Sequence, residues 1–66
     1  MDFIEKARIR FEHWITHNDH HQEEYEIFAE QLETAGKKES LEHFREMIDM
    51  TAKSSECLRK ALNALE

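Results

Sequence analysis

The chain has 66 residues, 15 acidic and nine basic, for a formal charge of −6, with one cysteine, one glycine and no proline. That excludes an internal disulfide and a glycine-rich phosphate loop, and the acidic balance argues against nucleic acid, whose phosphates need clustered Lys and Arg. The chain is one domain, residues 1–66, and a domain this small buries only about 60% of the surface its unfolded chain exposes, so a partner chain or a metal is expected to supply stability.

From Ile4, alternate steps of three and four give Ile4, Ala7, Phe11, Trp14, Asn18, His21, Tyr25, Phe28, Leu32 and Ala35. Eight of these ten are apolar or aromatic, which predicts a first helix over about residues 2–35 with this series as its seam. A break near Thr16 to Asp19 is the alternative, because Asn18 or Asp19 suits a new helix cap and Asp19 to Gln22 resembles a capping box. The heptad phase runs through residues 14–25 without insertion or deletion, which favours one continuous helix.

Gly36 stands where a left-handed helix cap is wanted, and the turn falls at about residues 36–38. The second helix is expected over about residues 39–65, with Glu39, Ser40 and Glu42 suiting its start. Its seam is Leu41, Phe44, Ile48, Thr51, Ser55, Leu58, Leu62 and Leu65. The fold class is therefore all-α, an antiparallel two-helix hairpin. Phe3, Ile15, Ile27, Met47 and Met50 widen the apolar face beyond the seam, so two hairpins are expected to dimerise into a four-helix bundle, a homodimer.

Asn18 and His21 interrupt the first seam, and Thr51 and Ser55 the second. If the chain turns near residue 37, facing positions sum to about 74, which brings these four within a turn of one another as a polar layer. Such a layer can fix register and partner number.

Four of the five histidines, His13, His17, His20 and His21, fall within nine residues. At about 100° per residue, His13, His17, His20 and Glu24 all lie within about 100° of His21, on one side of the helix. The spacing of four between His17 and His21 stacks two imidazoles one turn apart, as one helix needs to chelate an ion. His17 and His21 are the expected metal ligands, with His13 or Glu24 as a third. Imidazole with carboxylate suits Zn, Ni, Co, Cu or Fe, and residue type does not choose among them. Trp14 and Tyr25 are expected to pack above and below the imidazoles. Cys57 has an outward helical phase and His43 lies near the turn, so neither is expected to join the site.

Between His17 and Ala35 there is no Lys or Arg, whereas Asp19, Glu23, Glu24, Glu26, Glu30 and Glu33 form a negative field that repels nucleic acid and anionic membranes. No apolar run reaches the roughly 18 residues of a membrane span, and there is no secretory pattern; the expected location is cytoplasmic, with Cys57 free. No Glu-x-x-His pair, His-Glu-x-x-His sequence or Ser, His and acid arrangement indicates turnover.

The segment Phe11 to Tyr25, FEHWITHNDHHQEEY, resembles a group of short prokaryotic helical proteins or domains in which a His-Trp-Ile-x-His-Asn core precedes another histidine and an aromatic residue. The match covers about a quarter of the chain and emphasises His13, Trp14, His17, Asn18 and His21, leaving His20 incidental. It implies no particular activity. The expectation is a non-catalytic metal-binding protein for storage, delivery or sensing. The alternative is a metal-free interaction module, its polar layer setting pairing and its acidic flank contacting a basic protein partner, with possible sensitivity to pH through the histidines.

Overall fold

The computed structural model describes residues 2–65, which form two helices. Helix α1 spans Phe3–Thr34 and helix α2 spans Lys38–Asn63. They pack side by side as an antiparallel hairpin with extents of 51 × 15 × 11 Å. Helix α1 runs unbroken through Thr16 to Asp19. Residues 15–21 are weak helix formers, so continuity there rests on the absence of proline and glycine and on packing of Ile15, Asn18 and Gln22 towards α2.

Each end of α1 is closed by a specific device. Asp2 caps the start, its Oδ1 accepting from the Glu5 amide at 2.9 Å. At the other end Gly36 has φ +73°. The Lys37 amide donates to the Leu32 carbonyl at 3.1 Å, and the Gly36 amide to that of Glu33 at 3.0 Å. This paired pattern is a Schellman motif, which requires the left-handed conformation that glycine adopts at no steric cost. Helix α2 begins earlier than Ser40, with Lys37 as an N-cap lacking a side-chain bond and Glu39 in the first turn.

The α2 seam has the expected register. Ile48 and Ser55 are buried, and Leu41, Phe44, Thr51, Leu58, Leu62 and Leu65 are half-buried. Helix α1 differs from expectation. Its covered positions are Ala7, Phe11, Ile15, Asn18, His21, Gln22, Tyr25, Ala29 and Leu32, so Ile15, Gln22 and Ala29 join the contact line, Trp14 and Phe28 leave it, and His21 stays half-buried at its margin. Trp14 and Phe28 remain 44% and 49% exposed, whereas Ala29 is fully buried.

The reason for this rotation is steric and polar together. The methyl of Ala29 permits close approach where the ring of Phe28 would hold the helices apart, and the Gln22 amide donates to the Ile48 carbonyl on α2 at 3.2 Å. Phe28 instead packs its edge on Phe44 from the side, centroids 5.4 Å apart, as does Tyr25 at 5.8 Å. The buried apolar core consists of only Ala7, Ala29 and Ile48 among the described residues.

Candidate functional site

The two long edges of the hairpin are unlike. One is closed by ion pairs from α2 to α1: Arg59 to Asp19 at 2.6 Å and Arg45 to Glu33 at 3.8 Å. At about 100° per residue, Trp14, His17, His21 and Phe28 lie about 140–180° around α1 from Asp19, on the other edge. That edge is open, aromatic and histidine-bearing.

Along it the rings form a ladder. His13 and His17 are near-parallel with centroids 6.0 Å apart, and His17 meets His21 edge-on at 4.3 Å. His21 stacks on Tyr25 at 5.8 Å and 13°. The unbroken helix makes this possible, since each step is one turn of four residues. Trp14 does not join the ladder and packs against Phe11, centroids 6.1 Å apart.

The closest polar contact in the ladder is between Nε2 of His17 and Nε2 of His21, 2.9 Å apart. One nitrogen donates and the other accepts, so the shared proton must leave before both can bind an ion, but their separation is already that of two ligands on one ion. A tetrahedral ion with bonds of about 2.0–2.1 Å needs its nitrogens about 3.3 Å apart, and an octahedral ion of the same bond length about 2.9 Å for neighbouring ligands. A small ring adjustment admits either. His17 is exposed and His21 half-buried, which leaves the pair accessible from solvent.

Glu24 sits behind this pair. Its Oε1 lies 3.1 Å from Nε2 of His20 and 3.8 Å from Nδ1 of His21, the nitrogen facing away from His17. At 3.8 Å the second contact is too long for a hydrogen bond, so Glu24 engages His20 and only flanks His21. Among the described residues no set of three or more His, Cys, Asp or Glu side chains comes together as a metal cage. One hairpin thus brings together His17 and His21, with His13 stacked outside and Glu24 behind. Cys57 is free and exposed, and His43 is exposed near the turn.

The polar layer has a different wiring from the expected one. Thr51 Oγ1 donates to the carbonyl of Met47 in its own helix at 3.1 Å. No hydrogen bond joins Asn18 or His21 to Thr51 or Ser55 among the described residues, although Ser55 is buried and Asn18 half-buried. Gln22 makes the polar link between the helix interiors instead, and its Oε1 is buried without a partner. Sequence reasoning missed Gln22. The signal was present in the spacing Ile15, Asn18, Gln22, Tyr25, Ala29 and Leu32, a second series of threes and fours beside the first.

Residues 7–65 match the family described as Domain of unknown function (DUF8180). The chain belongs to this family. The family match covers both helices and the turn, and so includes the whole histidine ladder. No curated protein and no solved structure matches the chain. No helix among the described residues is long and apolar enough to cross a membrane.

Proposed function

We propose that this hairpin is a transition-metal-binding protein that holds its ion through Nε2 of His17 and Nε2 of His21, serving storage, delivery or sensing. The observation that carries this reading is the 2.9 Å separation of those two nitrogens. Two imidazole donors already side by side lose little side-chain entropy on chelation. Tyr25 stacked on His21 holds that ring in place. The His-Trp-Ile-x-His-Asn resemblance emphasises the same pair. Imidazole donors fit Zn, Ni, Co, Cu or Fe alike. An exposed, unpaired Cys57 suits a reducing, cytoplasmic setting.

The test is elemental analysis of protein purified without an affinity tag, together with melting curves in added zinc, nickel and cobalt. The expected outcome is a bound metal and a raised Tm; melting unchanged by all three ions would reject the reading.

A second reading is favoured by the open apolar edge, where Trp14, Ile27 and Phe28 stay exposed. In it the hairpin is a metal-free interaction module that docks through this edge, with Glu24 beside it and Glu23, Glu26 and Glu30 on the far, ion-paired side of α1. Recovery of a stoichiometric basic protein from the native host in the presence of chelator supports it, and purification of the hairpin alone counts against it.

A further inference from the structure

We infer that the ion sits on a two-fold axis between two copies of this chain, whose α1 helices pair antiparallel along the open edge. The inference rests on the metal reading above and adds the partner, its direction and its register. Three separate observations lead to it.

The first is coordination. One hairpin sets two nitrogens side by side at chelating distance, and a tetrahedral ion takes four ligands. A two-fold axis through that ion supplies the same pair again, giving four imidazoles from two chains, and an interface of this symmetry is self-complementary.

The second is area. A folded monomer of 8.0 kDa exposes about 4,500 Å² by the usual scaling, whereas this hairpin exposes 5300 Å². The excess of about 800 Å² equals one partner's share of a standard stable interface. Trp14 and Phe28, both on the open edge, are rings such an interface would cover.

The third is charge. Every Lys and Arg of α1 lies in its first third, at Lys6, Arg8 and Arg10, whereas its second half carries six carboxylates and no Lys or Arg. Parallel pairing would set acid against acid. In antiparallel pairing about the two histidines, facing positions sum to about 38, so Trp14 meets Glu24 of the second copy and Arg10 comes within a turn of that Glu24. Within one chain Arg10 and Glu24 are 14 residues apart on a straight helix, about 21 Å, and cannot touch.

The test is native mass spectrometry and sedimentation of the full chain with zinc chloride. The inference expects one zinc per two chains, with dimer formed on zinc addition and lost in chelator. Arg10→Glu should weaken the zinc-dependent dimer about tenfold through its two symmetric contacts, and Arg10→Glu combined with Phe28→Lys, at the position that faces it, should restore it. One zinc per chain on a monomer overturns the shared site and leaves the metal reading standing. No zinc bound overturns the metal reading and this inference with it. A dimer equally strong in chelator, and in a His17→Ala, His21→Ala variant, overturns the bridging ion. If the wild-type chain binds one zinc per dimer and Phe28→Lys fails to restore Arg10→Glu, the antiparallel register is wrong.

Discussion

His17 and His21 meet through their Nε2 atoms at 2.9 Å, one turn apart on a helix that does not break between them. The contact is a property of α1 alone. It requires α1 to be continuous at Thr16 to Asp19 and requires this face to lie at or beyond the margin of the contact with α2, and both conditions hold.

Replacing the pair should remove the response to metal and leave the hairpin folded, because His17 is exposed and His21 is only half-buried at the margin of the contact line. With metal at about 100 times its Kd, the wild-type chain should gain about 2.7 kcal/mol, a rise in Tm of about 10 °C or more. The His17→Ala, His21→Ala variant should show no rise. Calorimetry of the two proteins with and without zinc decides it; an equal rise in both would place the ion elsewhere.

Gly36→Ala should destabilise the hairpin by about 1 kcal/mol. The added methyl meets nothing within 4 Å, so the cost comes from the φ of +73° and not from a clash. Gly36→Asn should lose less, since asparagine tolerates the left-handed region better. Urea denaturation midpoints in the order Gly, Asn, Ala would agree; an unchanged midpoint for Ala would contradict the strained turn.

Ala29→Leu should cost about 1–3 kcal/mol, because a fully buried methyl at close helix approach leaves no room for a larger side chain. Had Phe28 occupied the seam, position 29 would lie at its margin and tolerate leucine. Guanidinium unfolding of this variant therefore reports the register of α1 directly, and an unchanged midpoint would refute it.

Gln22→Met should be neutral or stabilise by about 1 kcal/mol. It removes a buried acceptor that has no partner, Oε1, at the loss of a single bond to the Ile48 carbonyl. A loss of more than about 2 kcal/mol would mean that this bond fixes the pairing of the helices and is not merely tolerated there.

The sequence by itself determined the two helical regions, the turn at Gly36 and the contact line of α2, and it favoured a continuous first helix over one broken near Asn18. Each is local: good helix formers propagate a helix, a lone glycine ends one, and α2 offers a single apolar stripe from Leu41 to Leu65. The sequence also placed His17 and His21 one turn apart, since helical spacing alone sets that.

Only the tertiary structure decided which side of α1 faces α2. That helix carries two overlapping series that share Ala7, Phe11, Asn18, Tyr25 and Leu32, one adding Trp14, His21 and Phe28 and the other Ile15, Gln22 and Ala29. Each adds two apolar residues, so counting does not separate them, and the larger rings of Trp14 and Phe28 favour the first. Close approach of the backbones at Ala29 and the Gln22 bond to Ile48 favour the second, and neither can be weighed until the facing helix is in place. That choice moves His21 from the centre of the seam to its half-buried margin, beside His17 on the open edge.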